Sequence, residues 1–134
     1  MDDKRLERLY DYTKFHIGIY LSAAGGLAAL MSTAAAGASQ RGYISSLVGA
    51  PWALGISFLL LFLAGVSGAI VATSAIKSTS YDEFVTSYQG AYGVEPFRGQ
   101  HWVTFEHACF WLSLAFLAGG IFSSDRIACW LGIP

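Results

Sequence analysis

Three long apolar runs, separated by polar segments, dominate the chain. No Asp, Glu, Lys or Arg lies between Lys14 and Arg41, and none lies between Arg41 and Lys77. An α-helix needs roughly 20 residues to cross a hydrocarbon core of about 30 Å. The two charge-free runs therefore predict transmembrane helices over residues 15–38 and 51–76.

The third apolar run, residues 102–122, is less uniform than the first two. Glu106 and His107 lie near its start, and Asp125 follows its end. The run is still long enough to span a bilayer. Together the three runs predict an all-α integral membrane protein with three transmembrane helices.

The distribution of Lys and Arg predicts the orientation. Cytoplasmic loops of membrane proteins are enriched in these residues. If the N-terminus is cytoplasmic, only Arg41 and Arg126 lie outside. The basic residues inside are then Lys4, Arg5, Arg8, Lys14, Lys77 and Arg98. This bias predicts an N-in/C-out topology, and a bacterial inner (plasma) membrane is the expected location.

The remaining segments complete the predicted topology. Residues 1–14 are expected to form a cytoplasmic helical extension of the first span. Residues 39–50 form the outer loop. Residues 123–134 are expected to form an outer tail. Its last part, residues 127–134, is apolar and includes Trp130, which is typical of a segment lying at the membrane interface.

The longest connection, residues 77–101, is predicted to be cytoplasmic and partly ordered. Ser80 and Glu83 fit a capping box. Apolar residues then recur at helical spacing as far as Gly90, which predicts a short amphipathic helix resting on the membrane. We expect residues 91–100 to form a loop.

Composition supports a lipid environment. Hydrophobic residues make up 54% of the 134 residues and charged residues 13%, whereas about 25% of a soluble domain is charged. A chain this short cannot bury so much apolar surface in a core of its own. The formal net charge of −1 provides no basic surface for nucleic acid. The expected partner is the lipid bilayer.

Small residues spaced four apart form ridges on all three predicted spans. Such ridges let helix backbones approach closely, which matters in lipid because no hydrophobic force drives helices together there. Packing within one bundle and contact with a second copy of the chain both remain open. The ridge residues are Gly18, Ser22 and Gly26 on the first span, Ala64, Gly68 and Ala72 on the second, and Ala115 and Gly119 on the third.

Four ionisable residues are predicted to lie near one face of the membrane. His16 lies just inside the first span, Glu106 and His107 lie just inside the third, and His101 immediately precedes the third. Ionisable groups in or near hydrocarbon normally face protein or water and find partners. We therefore expect these four side chains to meet.

Several roles for such a cluster stay open. The simplest is a structural hydrogen bond between His and Glu. A haem would use His16 and His107 as axial ligands, whereas a divalent metal would use three or four of the residues. A pH-sensing site needs only one His–Glu pair. Because the spacings match no standard ligand motif, we expect no cofactor, with haem or a divalent metal as the alternatives.

No motif in the chain predicts an enzyme. It has no Gly-rich phosphate loop, no G-x-S-x-G elbow, no H-E-x-x-H zinc helix and no C-x-x-C pair. The leading interpretation is a non-enzymatic membrane protein that self-associates, as a pore-forming or membrane-perturbing unit. Residues 77–101 would then sense or dock a cytoplasmic protein partner. Glu106, Cys109 and Ser113 share one helix face, which could line a polar path between copies.

The alternative interpretation is a small membrane-anchor subunit of a redox or transport complex. Such a subunit would hold haem, a quinone or a metal at the level of His16 and His107. Light absorption by a bound haem distinguishes this interpretation from the first.

Overall fold

The structure, a computed structural model, describes residues 3–35, 48–92 and 94–132. Three of its helices, α1 (Lys4–Ala35), α2 (Pro51–Lys77) and α4 (Gly99–Phe122), are each long and apolar enough to cross a membrane, as the three apolar runs predict. The elements in chain order are α1 (Lys4–Ala35), α2 (Pro51–Lys77), α3 (Tyr81–Thr86), β1 (Tyr88–Ala91), β2 (Val94–Arg98), α4 (Gly99–Phe122) and α5 (Asp125–Leu131).

The helix boundaries differ from the apolar runs at several points. Helix α1 begins at Lys4, so the polar segment before Phe15 continues the same helix without a break. Helix α4 begins at Gly99, three residues before the predicted span. The last residues of the first predicted span, and the outer loop up to residue 47, lie outside the described residues.

Helix α2 lies at the centre of the bundle and packs against both α1 and α4. Its amino-terminal turn starts with Pro51, whose missing N–H costs nothing at a first helical position. Residues from all three long helices form the main core. Its buried members are Tyr20, Leu27, Leu54, Leu61, Ala64 and Cys109.

Reciprocal hydrogen bonds join α2 to α4 near the middle of the bundle. The Ser57 hydroxyl donates to the Ser113 carbonyl at 2.9 Å, and the Ser113 hydroxyl donates to the Ser57 carbonyl at 2.9 Å. Both side chains are fully buried. The face of α4 that also carries Glu106 and Cys109 therefore points into the bundle, and it is not available to line a path between copies.

The small-residue ridges divide into two groups. Ala64 and Gly68 are buried inside the bundle, and Ala72 is partly buried. The other ridges, on α1 and α4, point away from the bundle. Their exposed residues are Gly18, Ser22, Gly26, Ala115 and Gly119. On α4 the close contact is made instead by Gly120, where a Cβ would lie 3.2 Å from the Cβ of Ala53.

A second core lies at one end of the bundle, where α1 starts, α2 ends and α4 starts. We call this the hairpin end. Phe84 of α3 is buried here against Leu6, Val71 and Ala75. The apolar side of α3 thus packs on the protein itself rather than on a membrane surface.

Polar contacts fix α3 to the start of α1. The Asp3 carboxylate accepts from the N–H of Tyr81 at 2.7 Å and from the N–H of Arg5 at 2.8 Å. These bonds lower the pKa of Asp3. The Ser80 hydroxyl caps α3 by accepting from the N–H of Glu83 at 3.2 Å.

The chain after α3 forms an antiparallel β-hairpin. Strands β1 and β2 pair in a register that places Tyr88 opposite Arg98 and Gln89 opposite Phe97. The expected loop over residues 91–100 is therefore wrong, and so is the continuation of the helix to Gly90, since Tyr88 begins a strand. At Gly90 a Cβ would overlap the carbonyl oxygen of Val94, so the close strand approach requires glycine there.

Replacing Gly68 by Leu is expected to destabilise the bundle by about 1–3 kcal/mol, because overpacking forces neighbouring groups apart. A Cβ at Gly68 already lies 3.1 Å from Cγ1 of Ile17. Gly65→Leu in the same helix is the control, since nothing lies within 4 Å of a Cβ there. Reversible unfolding in mixed detergent micelles measures both. Equal decreases in the free energy of unfolding of the two variants would contradict the close contact at Gly68.

Candidate functional site

Five polar side chains from α1 and α4 meet near the hairpin end. Tyr12, His16 and Tyr20 are spaced four apart, so they lie on one face of α1. That face meets Glu106 and His107 of α4. We call these five residues the Tyr–His–Glu cluster.

Glu106 is almost completely buried, with 1% of its surface exposed. The Tyr20 hydroxyl donates to its Oε1 at 3.0 Å, and Tyr20 is itself 1% exposed. Helix α2 lies alongside, because a Cβ at Gly68 would be 3.5 Å from the carboxyl group. A Cβ at this position would be in ordinary van der Waals contact with Glu106, whereas its contact with Cγ1 of Ile17, at 3.1 Å, would be tight.

Both imidazoles are oriented by their own helices. Nδ1 of His16 lies 2.8 Å from the carbonyl oxygen of Tyr12, and Nδ1 of His107 lies 2.8 Å from that of Val103. A carbonyl oxygen only accepts, so each Nδ1 carries the proton. In the neutral state each Nε2 is then an acceptor.

Tyr12 links the two histidines. Its ring centroid lies 3.9 Å from that of His16 and 5.8 Å from that of His107. Its hydroxyl lies 3.2 Å from Nε2 of His107, and since that nitrogen accepts in the neutral imidazole, the hydroxyl donates. The two imidazole centroids are 6.2 Å apart.

The structure brings His16, Glu106 and His107 together and leaves His101 apart. His101 is exposed and lines a separate groove of about 590 Å³ with Phe97, Trp102 and Phe105. The reason is helix geometry: at about 100° per residue, position 101 points well away from positions 106 and 107. Among the described residues only Tyr20 makes a hydrogen bond to the Glu106 carboxyl.

The five side chains of the cluster differ from a metal site in the described residues. Within residues 3–35, 48–92 and 94–132, no three His, Cys, Asp or Glu side chains gather as metal ligands do. An axial haem ligand binds iron through one imidazole nitrogen. In His107 Nδ1 is hydrogen-bonded to the backbone of its own helix, and Nε2 is hydrogen-bonded to Tyr12. A carboxyl, two imidazoles and two phenols can instead hold or pass on a proton by reversing donor and acceptor roles.

Sequence reasoning missed Tyr12 and Tyr20. Both lie one helical turn from His16, on either side of it. A polar or aromatic side chain at i−4 and i+4 of a buried ionisable residue shares its helix face. That spacing is the signal that could have identified them.

Tyr20→Phe is expected to destabilise the protein by about 1–2 kcal/mol, because a buried carboxyl loses its donor. In the Glu106→Leu background the same change should cost much less, since removing both partners leaves no unsatisfied group. A double-mutant cycle measured by unfolding in detergent gives the coupling energy. Tyr10→Phe is the control. A coupling energy near zero would show that the Tyr20–Glu106 hydrogen bond contributes nothing to the stability of the protein.

Comparison with known proteins assigns no family to the chain. No family model matches it, and neither the curated proteins nor the solved structures searched contain a match.

Proposed function

We propose that the chain is a small non-enzymatic integral membrane protein that takes up and releases a proton at the Tyr–His–Glu cluster. The observation that carries this proposal is the burial of Glu106 at 1% exposure, where it is hydrogen-bonded to Tyr20, whose ring centroid lies 5.9 Å from that of His16. An ionisable group within a membrane span is costly and is typical of ion and proton sites.

The cluster joins α1 to α4, so its charge state acts on helix packing. Two side-chain hydrogen bonds cross this junction, Tyr20 to Glu106 and Tyr12 to His107. Protonation of His107 turns its Nε2 into a donor, and the Tyr12 hydroxyl must then accept instead. Proton binding thereby reverses the direction of this hydrogen bond between α1 and α4.

The proposed topology places the hairpin end in the cytoplasm. The bias of Lys and Arg toward that end supports this placement. On α1 the cluster then extends from Tyr12, two residues before Lys14, to Tyr20, six residues after it, where Lys14 is the last charged residue before the first apolar run. A bacterial inner membrane stays the proposed location.

Self-association is the second part of the proposal. Gly18, Ser22 and Gly26 face away from the bundle, and nothing lies within 4 Å of a Cβ at either glycine. Small residues on an outward face let a second helix approach closely in lipid. Because they share α1 with the cluster, a change in the packing of α1 also moves this ridge. Fluorescence energy transfer between labelled copies in bilayers tests this part, and a strictly monomeric protein would refute it.

The redox-anchor alternative has weaker support. It would need Tyr12 to release Nε2 of His107 before an axial ligand could form. A Soret band in the purified protein would favour this alternative over proton binding.

Glu106→Gln is expected to remove a pH-dependent carboxyl signal. Infrared difference spectra of the protein in bilayers, taken over a series of pH values, detect the C=O stretch of a protonated carboxylic acid. We expect a band that shifts in Tyr20→Phe and disappears in Glu106→Gln.

Glu95→Gln is the matched control, because Glu95 is exposed on β2. It should leave the band unchanged. Identical spectra for the wild type and Glu106→Gln would refute proton binding at the cluster.

A membrane-impermeant maleimide should label Cys129 in intact cells and spare Cys109. The first thiol is exposed on α5, whereas the second is buried, so only topology controls access to Cys129. Labelling that requires cell lysis would reverse the proposed orientation.

A further inference from the structure

A groove of about 470 Å³ runs between α2 and the β-hairpin, away from the Tyr–His–Glu cluster. One wall is the outer face of α2. The tip of the hairpin forms the other wall. The residues that matter are Val66, Ala69, Ile70, Lys77, Ala91 and Tyr92.

The groove changes from apolar to cationic along its length. Val66, Ala69 and Ile70 form the apolar part. Thr73 adds no free donor, because its hydroxyl bonds to the Ala69 carbonyl at 2.8 Å. Lys77, in the last turn of α2, ends the groove. From Val66 to Lys77 a helix rises about 16 Å, which is close to half of a hydrocarbon core of about 30 Å.

Lys77 is an unpaired cation. Its side chain is exposed, and among the described residues it forms no ion pair and no hydrogen bond. A cation at the membrane surface attracts anionic lipid headgroups. The apolar part beneath it complements hydrocarbon.

We propose that this groove seats one anionic phospholipid of the leaflet at the hairpin end. Its phosphate lies at Lys77, and one acyl chain lies along Val66, Ala69 and Ile70 beneath the hairpin tip. Tyr92 is fully exposed at that tip, in the left-handed conformation with φ 55°, so its amphipathic ring is free to lie at headgroup level.

The test is native mass spectrometry of the full chain released from nanodiscs that contain phosphatidylglycerol and phosphatidylcholine with identical acyl chains. The wild type should retain one phosphatidylglycerol. Ala69→Trp fills the groove and should abolish retention. Ala108→Trp is the control, because Ala108 is exposed on α4 outside the groove, and it should retain the lipid.

The headgroup contact is tested separately. Lys77→Gln should reduce the preference for phosphatidylglycerol over phosphatidylcholine roughly fivefold, the effect expected for one basic residue at the membrane surface. Lys14→Gln removes another exposed lysine and should leave the preference unchanged. Both positions are exposed, so neither substitution disturbs the core.

Two results would overturn the proposal. One is unchanged retention in Ala69→Trp. The other is an equal loss of preference in Lys77→Gln and Lys14→Gln, which would mean general attraction of anionic lipid only. Glu106→Gln should retain the lipid, so failure of proton binding and failure of the lipid site give different results.

Discussion

The close approach of α2 to both of its neighbours is the contact on which the rest of the structure depends. In lipid, helices gain no hydrophobic free energy by meeting, so small side chains and hydrogen bonds must hold them together. Gly68 brings α2 against Ile17 and Glu106, and Gly120 brings α4 against Ala53. The Ser57–Ser113 pair adds hydrogen bonds between these contacts. A larger residue at Gly68 would separate all three helices at the level of the polar cluster.

The close approach of α2 to α1 and α4 also offsets the free-energy cost of burying Glu106. A carboxyl in an apolar environment is costly unless it is hydrogen-bonded. Tyr20 supplies the bond from α1, and the glycine on α2 leaves space for the carboxyl. The stability of the bundle and the chemistry of the proposed proton site are therefore coupled through one three-helix junction. A substitution at Glu106 therefore directly affects the packing of α1 in the bundle.

The hairpin end has a different construction from the rest of the bundle. Phe84 and Leu6 form a small core there, and the Asp3 carboxylate binds the first N–H of α3. The hairpin that follows leaves open strand edges, and such edges do not occur in bare hydrocarbon. This favours a position at the membrane interface for the hairpin, where water and headgroups satisfy its backbone. The groove beside Lys77 opens at the same level.

The sequence by itself determined the three apolar helices, because length and lack of charge are enough to identify a possible membrane span. It also indicated that His16, Glu106 and His107 lie at a similar depth, since depth follows from position along each span. It did not separate His101 from them, because depth is independent of the direction in which a side chain points. That direction, and the role of Tyr20 as the partner of Glu106, depend on which helix faces meet.

Only the tertiary structure decided the form of the segment after α3. Its local pattern continues a helix through Tyr88, but Gly90 and the packing of α3 on the bundle favour strand pairing instead. The small-residue ridges also show that a local sequence pattern does not determine the tertiary contacts of its residues. Ala64 and Gly68 pack inward while Gly18 and Ser22 face outward, although each pair is four residues apart. Spacing fixes which residues share a helix face, whereas the direction of that face depends on where the neighbouring helices lie.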